Sequence, residues 1–281
     1  MKTIHFFGDS WTRGDGCQFE PGSGIIPSHK KYGPDYSIEY ATYSFPAQIK
    51  KYLSSDLIIV NNGMSGSSNF QIYKCIIDNL KNNNFKKNDI AIISWTSIIR
   101  EPLTFMLTPE NLEAGLLNIG KIDNSLQGFH SENKWIPSSI NEIKNQSHKQ
   151  IFEKIHQDFI VDRLNLFLLY ENCMNYICNL QILFAEIGVN YLFLNTFEKV
   201  LSEEIVFFNK IKKNNWILFD YTLSDYLSDI EDKMEFSQGY SLWEDDFIKP
   251  GRNYDGPHPN RIGYDKIANL IATEITNRKF L

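Results

Sequence analysis

The chain has 281 residues, of which 42% are hydrophobic and 22% are charged, and its formal net charge is -6. Such a composition is typical of a soluble globular protein, and the length suits one large α/β domain. The acidic balance and the scattered lysines argue against nucleic acid or an anionic membrane as partner, because both select clustered Lys and Arg.

The N-terminus enters an apolar strand at residues 3–7 without the long apolar segment of a secretory signal. No run approaches the roughly 18 apolar residues that cross a bilayer. We therefore expect a soluble chain without a membrane span, in the cytoplasm or a compartment that the sequence leaves open. The four cysteines (Cys17, Cys75, Cys173 and Cys178) form no C-x-x-C pair, which predicts free, buried thiols and no metal site.

Apolar runs alternate with segments of helical spacing along most of the chain. The runs are continuously apolar, as in strands buried on both faces, so the order predicts a parallel sheet with helices on both sides. In chain order the predicted elements are a strand at 3–7, a helix from about 44, a strand at 56–63, a helix at 68–82, a strand at 88–97, one or two helices at 150–188 ending at Gly188, strands at 189–197 and 214–220, and a helix from about 260.

Two regions interrupt this alternation. Residues 100–150 are polar and too long for an ordinary connection, which predicts an insertion over one rim of the sheet within a single domain spanning residues 1–281. Residues 221–253 are rich in aromatic and acidic side chains and precede the last helix.

Ser10 follows the first strand in the stretch GDSW, at the carboxyl edge of the predicted sheet, where ligands bind in open α/β folds. A serine hydroxyl is a weak nucleophile unless a base takes its proton and an acid orients that base. Of the six histidines, only His258 has a carboxylate and a rigid turn beside it, in the stretch DGPH that begins at Asp255. We predict Ser10 as nucleophile, His258 as base and Asp255 as its orienting acid.

Acyl transfer also needs donors aimed at the developing oxyanion. The second strand ends in NNGMSG, and Gly63 would let the backbone approach a ligand closely. We predict the backbone N–H groups of Ser10 and Gly63 as oxyanion donors. Taken singly, Ser10 also fits a turn or helix cap, and His258 also fits an ordinary loop histidine.

The order of these blocks resembles the SGNH (GDSL-type) hydrolase superfamily: G-D-S after the first strand, a glycine loop after the second, and D-x-x-H-P before the last helix. The resemblance implies a flavodoxin-like, three-layer α/β/α sandwich with about five parallel strands. It also implies catalysis by Ser10, His258 and Asp255, with Gly63 as an oxyanion donor. Serine chemistry of this kind needs no metal or organic cofactor.

The third block departs from the family pattern, which has an asparagine in G-x-N-D as a further oxyanion donor. Here the third strand ends in SWTS, and Thr96 takes the place of that asparagine. Thr96 itself, Asn69 from the preceding loop, or Arg100 could substitute. Trp95 and Arg100 could equally hold the insertion in place.

The sequence therefore predicts a serine ester hydrolase that removes short acyl groups, acetyl above all, from a carbohydrate or a small ester. The aromatic stretch at 240–247 would suit a sugar ring, or would simply pack under the final loop. The alternatives are a lipase or thioesterase-type acyl hydrolase and a weakly active or inactive glycan-binding protein of the same fold. Two others are an α/β-hydrolase with Ser65 in GMSGS as nucleophile and an anion-binding loop assisted by Arg13.

Overall fold

The computed structural model describes residues 2–15, 17, 42–53, 56–64, 67–98, 128–131, 134–137, 166–197, 199–203, 205–233 and 258–281. Its strands and helices are β1 (Thr3–Gly8), α1 (Ser10–Arg13), α2 (Phe45–Gln48), β2 (Ile58–Gly63), α3 (Asn69–Lys81), β3 (Ile90–Trp95), β4 (Gly128–Ser131), β5 (Lys134–Pro137), α4 (Leu166–Ile187), β6 (Asn190–Asn195), α5 (Leu223–Lys233) and α6 (Arg261–Asn277).

The main sheet has four strands in the order β2-β1-β3-β6, and every neighbouring pair is parallel. The register places Gly8 beside Gly63 and Trp95 beside Asn195, so the carboxyl ends of all four strands form one edge. Because β1 is an interior strand, the residues that follow it have strand ends on both sides. This arrangement confirms the predicted α/β class.

The two faces of the sheet bury separate apolar clusters, because successive side chains of a strand point to opposite faces. Along β1, Phe6 packs with α2, α5 and α6, whereas Phe7 packs with α3 and α4. β3 divides in the same way between Ile92 and Ile93. Helices therefore cover both faces, and the sandwich has three layers, as predicted.

The predicted fifth strand is wrong in the part of the chain that the structure describes. Residues 214–220 form only one parallel bridge, between Trp216 and Phe193 of β6. A short 3-10 turn, Lys213–Asn215, precedes the bridge, and Leu218 has a positive φ of 55° just after it. These two features end the extended backbone on both sides of Trp216, so the sheet has four strands among the described residues and a single bridge where the fifth was predicted.

The helix boundaries follow local signals in the sequence. Ser68 caps α3, accepting a hydrogen bond from the N–H of Gln71, whose side chain bonds back to the Ser68 N–H. Gly188 ends α4 at a φ of +72°, the left-handed conformation that favours glycine. Of the long helix predicted over 150–188, residues 150–165 lie outside the described residues.

Only an antiparallel pair, β4 with β5, is described within the predicted insertion at 100–150; the remainder lies outside the described residues. The single-domain boundary therefore stays a prediction. Within the described ranges, no helix has the length and apolar character needed to cross a membrane. The four cysteines are free thiols, but only Cys17 and Cys173 are fully buried; Cys75 and Cys178 are partly exposed, so the prediction of burial is only half right.

Candidate active site

Ser10 opens the short helix α1 immediately after β1, and it is almost fully buried. The helix cap is Asp9 rather than Ser10: Asp9 Oδ1 accepts a hydrogen bond of 3.0 Å from the N–H of Trp11. No hydrogen bond from the Ser10 N–H forms among the described residues. The hydroxyl and the backbone N–H of Ser10 therefore both lie at the start of α1, at the carboxyl edge of the sheet.

Two glycines allow α1 to pack directly on the ends of β1 and β2. A Cβ at Gly8 would lie 2.1 Å from Thr12 Oγ1, and a Cβ at Gly63 would lie 2.2 Å from the backbone nitrogen of Arg13. Neither distance is possible for real atoms. The turn that carries Ser10 thus requires glycine at both positions for steric reasons.

His258 lies against Ser10 at this edge. Its Nε2 is 3.0 Å from Ser10 Oγ, although the two residues are 248 positions apart in the chain. His258 is half-buried and stands just before α6, whose N-terminus is capped by the side chain of Asn260. The distance allows the imidazole nitrogen to accept the serine proton.

The start of α6 is bound to the segment that follows Ser10. Tyr264 donates its hydroxyl to the carbonyl of Asp15, and Arg261 Nε donates to the carbonyl of Cys17 at 2.9 Å. The Arg261 guanidinium also stacks 3.7 Å above the ring of Tyr43. These contacts hold the His258 segment and the Ser10 segment together. They join distant positions, so no spacing in the sequence predicts them.

Asn61 holds the other end of α1. Its Nδ2 donates to the carbonyls of Thr12 and Arg13, at 3.0 and 3.3 Å. Its Oδ1 accepts the N–H of Gly63 at 2.9 Å. The N–H predicted as an oxyanion donor is therefore already bonded, and Gly63 could serve a ligand only if Asn61 released it. No sequence motif predicts this role for Asn61, whose partners in α1 lie 48 and 49 positions away.

Thr96 and Asn69 lie together at the end of β3, both fully buried. The Thr96 hydroxyl donates to Asp9 Oδ2 at 2.8 Å. Asn69 Oδ1 accepts the Thr96 N–H at 2.9 Å, while its Nδ2 donates to the carbonyls of Thr96 and Ser97 at 3.2 and 3.4 Å. The structure thus brings Thr96 beside the Ser10 turn but directs its proton to Asp9 rather than outward.

Asp255, Arg100 and Ser65 lie outside the described residues, so their predicted roles stay predictions. Among the residues that are described, no group of three or more His, Cys, Asp and Glu side chains could hold a metal ion.

No family model matches the sequence, and no curated protein matches it. Solved structures do match the chain, three of them at 10–15% identity. A lipase/acylhydrolase from Enterococcus faecalis is 15% identical, with 99% of this chain and 97% of that chain covered and a TM-score of 0.33. LAE5, an α/β hydrolase from the metagenome of Lake Arreo, Spain, is 13% identical, with 98% and 95% covered and a TM-score of 0.40.

The third structure, a protein assigned to the G-D-S-L lipolytic family from Desulfitobacterium hafniense DCB-2, is 10% identical, with 98% and 99% covered and a TM-score of 0.36. The fold assignment rests on the strand order and the two packed faces described above. The candidate active site is defined by the contact between Ser10 and His258 and by the hydrogen bonds around it.

Proposed function

We propose that the protein is a serine ester hydrolase of the SGNH type, with Ser10 as nucleophile and His258 as general base. The observation that carries the proposal is the 3.0 Å contact between Ser10 Oγ and His258 Nε2. It joins the G-D-S block after β1 to the D-x-x-H-P block before α6, at the carboxyl edge of a parallel sheet.

The proposed reaction has two stages. Ser10 Oγ attacks the ester carbonyl carbon while its proton passes to His258 Nε2. The bond to the leaving alcohol then breaks, and His258 gives that alcohol the proton. In the second stage His258 takes a proton from water as the water oxygen attacks the acyl carbon; the bond from that carbon to Ser10 Oγ then breaks, the carboxylic acid leaves, and His258 returns the proton to Ser10 Oγ. Asp255 would hold the other imidazole nitrogen protonated throughout.

The Ser10 N–H is the oxyanion donor that the geometry supports best, because it lies at the helix start beside the nucleophile and makes no bond among the described residues. The Gly63 N–H could become a second donor if it gave up its hydrogen bond to Asn61 Oδ1 and bonded the ligand instead. Arg100 could supply a cation from the adjoining segment. Fewer fixed donors predict a slower enzyme, since one such donor is worth about 2.7–4 kcal/mol of transition-state stabilisation.

A second candidate function follows from the same hydrogen bonds. The Gly63 N–H and the Thr96 hydroxyl are both engaged by protein groups, which favours a weakly active or inactive glycan-binding protein of this fold. An anion-binding loop is less well supported. Asp9 already supplies a carboxylate to the start of α1, where a phosphate would have to bind.

We further propose acetylated carbohydrates or small acetyl esters as substrates, rather than long-chain lipids. A panel of aryl acetates, long-chain aryl esters and acetylated xylose tests this directly. We expect turnover of the acetyl esters by the wild type and none by Ser10→Ala. Turnover confined to long acyl chains would overturn the substrate class, and turnover that survives Ser10→Ala would overturn the mechanism.

A further inference from the structure

We infer that Thr96 and Asn69 are positioning residues for Ser10, acting through the carboxylate of Asp9; the inference rests on the proposed function. Thr96 takes the position at which SGNH hydrolases have an oxyanion asparagine. In this proposal it orients the nucleophile through Asp9 instead of contacting the substrate.

Asp9 is the link between these residues and Ser10. It is fully buried, and its two carboxylate oxygens accept hydrogen bonds from different elements: Oδ1 from the Trp11 N–H of α1, and Oδ2 from the Thr96 hydroxyl at the end of β3. A buried carboxylate without such partners is strongly disfavoured. The Thr96 hydroxyl therefore contributes to fixing the orientation of Asp9, whose neighbour in the chain is the nucleophile.

The Thr96 hydroxyl has a single proton to donate. Because that proton lies on the Asp9 bond, the hydroxyl cannot donate to a substrate oxyanion at the same time. A direct role and a positioning role thus exclude one another in this arrangement.

Asn69 fixes Thr96 in turn. Its side chain bonds both the N–H and the carbonyl of Thr96, as a neighbouring strand would. Asn69 is itself the first residue of α3, directly after the Ser68 cap, so its own backbone is constrained. The chain of contacts runs from α3 through the end of β3 to Asp9.

The turn has little freedom to compensate for a lost bond. Gly8 is packed against Thr12 and the carbonyl of Ser94 so tightly that a Cβ would not fit. A shift of the Asp9 backbone would therefore be passed on to Ser10, because Gly8 has no room to absorb it. A displacement of about 1 Å at a reacting atom lowers a rate by about 10²-fold.

The test compares Thr96→Val, which keeps the shape and removes the hydroxyl, with Thr96→Ser, which restores it. The matched control is Thr196→Val. Thr196 is also fully buried at the carboxyl edge, but its hydroxyl pairs with Ser94 Oγ at 2.7 Å instead of Asp9. Two readouts are used: the Ser10 Oγ to His258 Nε2 distance in crystal structures, and kcat and KM for an aryl acetate.

We expect Thr96→Val to open the Ser10–His258 distance and to lower kcat about 10²-fold with little change in KM. Thr96→Ser and Thr196→Val should keep both values near those of the wild type. An unchanged distance in Thr96→Val overturns the inference whatever happens to kcat, and so does an equal effect of Thr196→Val. If Thr96→Val does not fold, Thr96→Ala replaces it, because it removes the same hydroxyl and places no second methyl group against Asp9.

The two proposals fail in different ways. If the wild type hydrolyses no ester but the distance opens only in Thr96→Val, the proposed function is wrong and the positioning role stands. If the wild type is active and Thr96→Val keeps both distance and kcat, the positioning role is wrong and the function stands.

Discussion

Tyr264 of α6 donates its hydroxyl to the backbone carbonyl of Asp15, five positions after Ser10. The bond links the helix that follows His258 to the turn that follows the nucleophile. The ring of Tyr264 is fully buried against Phe45, which fixes the direction in which its hydroxyl points. The site is thus held together by a contact that takes no part in the proposed chemistry.

Removing this hydroxyl should destabilise the fold and slow the reaction. Tyr264→Phe removes the hydrogen bond that the Asp15 carbonyl accepts from the Tyr264 hydroxyl, at an expected cost of about 1 kcal/mol in the free energy of unfolding. Urea denaturation measures it. The matched control is Tyr52→Phe, which removes a hydroxyl bonded to the exposed side of Asp265 and should change stability by less than about 0.5 kcal/mol. Equal losses in the two variants would contradict the account.

Gly63→Ala should disrupt the nucleophile turn. The added Cβ would meet the backbone of Thr12 and Arg13, which cannot move aside as a flexible side chain could. We expect a loss of about 1–3 kcal/mol in the free energy of unfolding together with loss of ester hydrolysis.

Gly188→Ala is the control for that variant. An alanine at this position would strain a backbone with a positive φ, and its Cβ would meet only the side chain of Lys87. Gly188 follows α4 rather than β2 and is remote from Ser10 in the chain. Gly188→Ala should reduce stability by about 1 kcal/mol and leave the kcat of the folded protein unchanged. A fully active Gly63→Ala protein would show that α1 need not pack closely on β2.

Because His5 is buried, we expect the protein to lose stability in mild acid. The His5 ring is buried in β1 and packs 4.4 Å from that of Phe85. Burial lowers the pKa of His5 below its usual value, and the nearby carboxylate of Asp89 offsets this only in part. The unfolded chain therefore binds this proton more readily than the folded one. Stability should be full above the unfolded pKa of about 6.5 and should fall as the pH drops below it.

The comparison for this prediction is His5→Gln, which has no titrating ring. Urea midpoints between pH 7.5 and 5.0 should decline more steeply in the wild type than in His5→Gln. Parallel pH profiles for the two proteins would show that His5 does not contribute.

The sequence predicted the sheet where apolar runs were continuous and unbroken, as at Phe6, Ile92 and Leu192. It failed at residues 214–220, since nothing in the apolar content of that run announces the positive φ of Leu218. The pairing of Ser10 with His258 was predictable because each residue carries a local block of its own.

The contacts around that pair were not predictable. The bond from Thr96 to Asp9 spans 87 positions, and the bonds of Asn61 to α1 span 48 and 49. No local spacing signals such contacts. For Thr96 the prediction named the right neighbourhood, because the residue follows β3 at the same edge of the sheet. Only the structure gives the direction in which its hydroxyl points.

Whether Ser10 is the nucleophile is tested by locating the residue that reacts with a fluorophosphonate, using mass spectrometry of the digested protein. We expect an adduct on Ser10 in the wild type and in Ser65→Ala. We expect none in Ser10→Ala and a rate at least about 10²-fold lower in His258→Ala, since general-base assistance is worth that much. An adduct on Ser65, or a wild-type protein that forms no adduct on Ser10, would contradict the assignment of Ser10 as nucleophile.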